Sequence, residues 1–191
     1  LINDLIDHEA TNMAYKTEGL KFLIRTLPLK FINQSKLDRI LELYKKSQEV
    51  ELKGLYLHLL KFVENASIQE ILSEIIQQAA DYSQIPIHHA LSQIAELIIE
   101  QSKVATLFLL LNDVPVIRKR MAMAYDNNLF LNENEIMQRI VGSMNDDEKQ
   151  TVLKLAVDNI NHKIESDEFG EPIYFMADEF LPIFVCFHEI Q

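Results

Sequence analysis

Helix-start signals recur along this chain at nearly even spacing, and that spacing constrains its architecture more than any other feature. They fall at Ser35, Ser67, Ser102 and Asn132, separated by 32, 35 and 30 residues. In Ser35-Lys-Leu-Asp38, Ser67-Ile-Gln-Glu70 and Asn132-Glu-Asn-Glu135 an acid stands three residues after the capping side chain. That arrangement lets side chains satisfy the free N–H groups of a first helical turn. Each interval holds two stretches of helical periodicity, the period of a helical pair that buries one face on the next pair. With only four Gly and five Pro in 191 residues, turns are few and the elements between them long. The expectation is all-α: about 8–10 helices stacked as antiparallel pairs, in an α-solenoid or an irregular helical bundle.

The individual helices follow from apolar spacing. Residues 3–14 predict a short first helix, and Thr17 is placed to cap a second carrying Leu20, Phe22, Leu23, Ile24 and Leu27. Pro28 ends or bends it, and Leu29, Phe31 and Ile32 are expected to continue its apolar side. Leu37, Ile40, Leu41 and Tyr44 line the next helix, which breaks near Ser47–Glu49. Leu52, Leu55, Tyr56 and Leu59 line the one after, where Gly54 marks either a weak point or a close helix contact. Ile68, Ile71, Leu72, Ile75, Ile76 and Ala79 form the clearest amphipathic stripe. Pro86 opens a helix whose broad apolar arc, Leu91 to Ile99, predicts burial between two neighbours. Val104–Leu111 and a helix opened by Pro115 make a hairpin turning at Asn112-Asp113. Asn145 or Asp146 starts the last helix, with acids at its positive end.

The formal charge of −11 opposes binding to phosphate backbones. Arg118-Lys119-Arg120, the one basic cluster, spreads around a helix as a solvated face. No nucleic-acid partner is expected. The strongly apolar run Val104–Leu111 is too short to span a bilayer, so no membrane insertion is expected. Cys186 is alone, which rules out an internal disulfide; with no signal-like start, a reducing, cytoplasmic setting is expected.

The chain is expected to divide into a helical domain, 1–164, and an acidic, aromatic-rich segment, 165–191, docked on it. After Lys163 there is no Lys or Arg, while acids supply −7 of the total charge. Tyr174, Phe175, Phe180 and Phe184 are the aromatic side chains of this segment expected to dock on the last helical pair or on a partner.

No catalytic constellation is visible. The six His residues show no His-x-x-x-His pair and no Glu three positions earlier, so neither zinc-protease nor di-iron carboxylate spacing is present. His88-His89 point in different directions on a helix, one outward and one toward its N-terminal edge. Cys186 and His188 read as a buried small hydrophobe beside a terminal His. The Gly residues stand singly, which excludes a glycine-rich phosphate loop. Asp146-Asp147 and Asp178-Glu179 are adjacent acids that do not converge on one point. No cofactor and no metal are expected.

Within the central hairpin, Asp113, Ile117-Arg118, Ala122 and Ala124 stand where HEAT-type helical repeats carry a turn Asp, a Val-Arg pair and small residues. Met121 departs from the family's usual Ala. Residues 112–126 thus resemble one HEAT repeat, which implies a HEAT-like stack that binds partners along a helical face. In composition the chain also resembles adaptor or chaperone subunits of bacterial secretion systems, those of the Legionella type included. The expected function is a non-enzymatic adaptor or scaffold whose partner is another protein or peptide. Arg118 and Tyr125, of residue types that interfaces favour, join the four tail aromatics as expected partner-binding residues. The alternative is an enzyme or small-ligand-binding helical protein whose site is assembled from distant residues. The oligomeric state is left open.

Overall fold

A computed structural model describes residues 5–6, 13–79, 84–111, 114–126 and 131–166. Among them are ten α-helices, packed as antiparallel neighbours, and no strand. They are α1 (Met13–Thr26), α2 (Leu37–Lys46), α3 (Val50–Leu59), α4 (Leu72–Ala79), α5 (Ile85–Gln93), α6 (Ala95–Gln101), α7 (Lys103–Leu110), α8 (Pro115–Tyr125), α9 (Glu133–Gly142) and α10 (Asp146–Ser166).

The helices form two layers. First members of successive pairs follow one another, with α4 packed on α7 and α7 on α9; second members do the same, with α3 on α5 and α5 on α8. Within pairs, α2 packs on α3, α4 on α5 and α7 on α8. Helices α3, α4, α5, α7 and α8 therefore each bury one face on a partner and another on a neighbouring pair, an arrangement compatible with a helical repeat.

Two helices anchor the core. In α3, Leu52, Tyr56, Leu57 and Leu59 are buried, and α1, α2 and α5 surround it. In α7 every residue from Ala105 to Leu110 is buried, and α4, α6, α8, α9 and α10 contact it. An apolar run without a polar face has no solvated side to present, so it becomes the centre of its half of the stack.

Half of the expected caps hold. Ser102 Oγ accepts from the Ala105 amide at 3.1 Å, and Asn132 with Glu135 forms a complete capping box. Asn145 with Glu148 forms a second, in which Asn145 Oδ1 accepts from Glu148 N at 2.8 Å and Glu148 Oε2 from Asn145 N at 2.9 Å. The other positions behave differently. Thr17 lies inside α1. At residue 35 the cap is Asn33, whose side chain accepts from the Ser35 amide at the start of a 3₁₀ turn, Gln34–Lys36. Ser67 is exposed, and the 3₁₀ turn Gln69–Ile71 that precedes α4 starts from Ile68 with no side-chain cap. Gln101 of α6 holds the loop before it, its Oε1 accepting from the Ile68 amide at 2.9 Å. Gln101 Nε2 donates to the Ala66 carbonyl at 2.6 Å. A side chain remote in sequence thus fixes this loop, where the local sequence suggests a Ser67 cap.

The arc from Leu91 to Ile99 is two helices, broken at Ile94. Arg120 Nε of α8 donates to the Ser92 carbonyl at 3.2 Å. A cation drawing a carbonyl out of the helical ladder is a recognised cause of a kink. The turn residues Asn112-Asp113 lie outside the described residues, as does the chain from 167 to 191.

Candidate functional site

Helix α1 stops at Thr26, because Pro28 has no N–H to continue it. The chain then turns at Leu29-Lys30 and, extended at Phe31-Ile32, joins the end of α3 through a single parallel bridge, Ile32 with Val63. Ile32 N donates to Phe62 O at 2.8 Å, and Glu64 N donates to Ile32 O at 2.9 Å. In extended chain successive side chains face opposite sides, so Ile32 is buried while Phe31 faces solvent at 58 % exposure. Leu29 is 63 % exposed. The expectation that Leu29 and Phe31 continue the buried side of the helix is therefore corrected. Two flanking residues take up left-handed backbone, Lys30 (φ 58°) and Asn65 (φ 49°). Asn tolerates this conformation, whereas Lys gives up about 1–2 kcal/mol to hold it.

This bridged pair of loops forms one wall of a cleft with a volume of about 390 Å³, within the size range of ligand-binding sites. Leu29, Lys30, Leu60, Lys61, Val63, Asn65 and Ala66 line that wall. The other comes from the end of α5 and from α6: Gln93, Ile94, Glu96, Leu97, Glu100 and Gln101. Glu96 and Glu100 are four residues apart, so they share one face of α6. The cations of the site stand on the loop wall and the anions on the helix wall. Glu96 Oε1 lies 3.6 Å from Arg120 Nη2. Lys30, Lys61 and Glu100 have no ion-pair partner among the described residues. Gln101 fixes the cleft at its base by bonding to Ala66 and Ile68 across the two walls.

A second polar feature lies where α3 meets α5. The His58 ring stacks on Phe62 at 6.0 Å and meets the His89 ring edge-on at 6.1 Å. Of the pair expected to point in different directions, His89 is exposed and His88 is buried, and the His88 Nε2 has no hydrogen-bond partner among the described residues. Burial first, then the positive charge of neighbouring His89 and Lys61, holds His58 down to about 4. The unfolded chain therefore takes up this proton near pH 6.5 while the folded chain does not. Stability is unaffected above that pH and falls as pH drops from 6.5 to 4, by about 1–2 kcal/mol once solvent screening is allowed for. Urea unfolding at pH 7 and pH 4.5 tests this. In His58→Gln the acid loss should shrink by that amount, and an equal loss in both proteins would refute the assignment.

A polar seam joins the first two pairs. Tyr44 Oη donates to Gln78 Oε1 at 2.7 Å, and Lys53 pairs with Glu74 at 3.0 Å while lying over the Tyr44 ring. Burial, reinforced by the Glu74 carboxylate, pushes the Tyr44 phenol upward. Burial likewise pushes Tyr56 up to about 12, with the Arg39 guanidinium opposing it. These tyrosines serve the core.

Of the residues singled out from sequence, Arg118 is half-exposed on α8 with Nε 3.5 Å from Glu133 Oε1, and Tyr125 is partly buried against the core at the end of that helix. Lys119 is exposed between its two partnered neighbours. Tyr174, Phe175, Phe180, Phe184, Cys186 and His188 lie outside the described residues. The cleft residues were not among the sequence candidates; the available signal was Pro28 followed by Leu29-Lys30-Phe31-Ile32, too apolar for an ordinary loop. Among the described residues no three His, Cys, Asp or Glu side chains are grouped to hold a metal ion, and no helix is long and apolar enough to cross a membrane. No family model, curated protein or solved structure matches this chain.

Proposed function

We propose that this chain is a protein-interaction module, an adaptor or scaffold built as a HEAT-like stack of helical pairs, whose partner is another protein or peptide. The observation that carries the reading is the placement of Leu29 and Phe31 in solvent beside a cleft with unpaired charges. Exposed apolar side chains grouped with a concave surface mark places where another molecule is bound. Arg118 and Tyr125 sit on α8, in the same layer as α3 and α5, and belong to the reading as an extension of that face. The tail aromatics enter it by their chemistry alone.

The test is affinity capture from the native cell with the intact protein, beside a Leu29→Ser/Phe31→Ser variant. Both side chains are exposed, so the variant should unfold at the same urea concentration as the parent. A stoichiometric protein captured by the parent and lost from the variant is the expected result. A folded parent that retains no protein would overturn the reading.

A further inference from the structure

We propose that the cleft takes an extended peptide segment of a partner protein in which an apolar side chain stands between an acidic residue and a basic one. This deepens the adaptor reading and rests on it. The argument is one of charge and shape. Lys30 and Lys61 stand on the loop wall, Glu96 and Glu100 on the α6 wall. Yet no ion pair within bonding distance joins the two walls among the described residues. Opposite charges that face a common space without meeting leave room for a guest bearing both signs.

Between them the exposed Leu29 and the half-buried Leu97 supply apolar lining, backed by the buried side chains of Leu60, Val63 and Ile94. An apolar anchor against Leu29 and Leu97 places a flanking carboxylate toward Lys30 and Lys61 and a flanking ammonium or guanidinium toward Glu100. The exposed loop Leu29–Phe31 offers further apolar contact. A uniformly acidic guest would satisfy the lysines and be repelled by the α6 wall. That argues against the chain's own segment after Lys163, which has acids and no Lys or Arg.

The test uses a random-peptide display library panned on the intact protein, followed by binding of a synthetic copy of the selected consensus. The expected consensus has a Leu, Ile or Phe with an acid on one side and a Lys or Arg on the other. Lys61→Glu and Glu100→Lys should each weaken that peptide about tenfold, since reversal replaces an attraction with a repulsion. The basic residue of the peptide should couple to Glu100 and the acidic one to Lys61. So a peptide with its basic residue changed to Glu should recover affinity for Glu100→Lys alone. Both substitutions are of surface side chains, and unfolding curves check that each variant is folded.

A consensus without the two signs, or affinity indifferent to both reversals, overturns the proposal. Selection of uniformly acidic, aromatic peptides overturns it in favour of the chain's own tail as occupant. If no peptide is selected while affinity capture still depends on Leu29 and Phe31, this proposal fails and the adaptor reading stands. If capture yields no partner, the adaptor reading itself fails.

Discussion

Gly54→Ala is expected to lower the stability of this protein by about 1–2 kcal/mol, although in most helices the same change stabilises. A Cβ at position 54 would lie 2.6 Å from the Pro86 carbonyl oxygen, 2.8 Å from its carbon and 3.0 Å from its Cβ. Backbone cannot swing aside as a side chain does, so α3 and α5 would have to separate at the most extensive helix contact in the fold. Overpacking of this kind costs about 1–3 kcal/mol or more, and the gain of about 1 kcal/mol in helix propensity offsets only part of it. Gly142→Ala is the matched control. Nothing lies within 4 Å of a Cβ there, so it should stabilise by about 0.5–1 kcal/mol. Urea unfolding of the two variants separates these cases by sign. A Gly54→Ala protein as stable as its parent would mean that α3 and α5 do not cross as closely as described.

The second large effect is expected at Gln101. Replacing it by Leu keeps the size and removes the acceptor of the Ile68 amide and the donor to the Ala66 carbonyl. Both are partly buried, and leaving two such groups unpaired costs about 2–4 kcal/mol together. The loss should be local before it is global. Hydrogen exchange at Ile68 N should rise, and peptide affinity should fall with it, because Gln101 ties together the two walls of the cleft. An unchanged Ile68 exchange rate would show that the loop before α4 is held by other contacts.

Where a helix was written into neighbouring residues, the sequence carried the fold. Ser102 and Asn132 each act on a residue three positions on, Pro115 through its own fixed φ and missing N–H, and each stands at a helix start as expected. Positions whose partner is remote in the chain did not follow local rules. Ser67 caps nothing among the described residues and the loop around it is held by Gln101 instead. The helix break at Ile94 falls where Arg120, two helices further on, bonds the Ser92 carbonyl. The stacking of pairs persists, although the interval from Ser67 to Ser102 holds three helices, α4, α5 and α6, in place of two. The pair spacing is set by how much chain is needed to cross the stack and return, whichever residue closes each end.

The cleft was hidden for the same reason. Leu29, Phe31 and Ile32 read as one apolar group when helical spacing is assumed. The bridge to Val63 makes the segment extended, burying Ile32 and turning its neighbour Phe31 outward. Glu96 and Glu100 were visible as two acids one turn apart on α6, but their facing Lys30 and Lys61 is a tertiary fact. Gly54 lay between the two extremes: a Gly inside a helix stripe does signal a close approach, though not to which helix.

The most direct test of the account is site-specific photo-crosslinking in the native cell. A photoreactive phenylalanine analogue is placed at Phe31, beside the cleft, or at Val157, an exposed apolar position on α10. The account predicts a crosslink to a distinct partner protein from position 31 and none from position 157. A partner trapped only from position 157, or no protein trapped from either position of a folded chain, would contradict it.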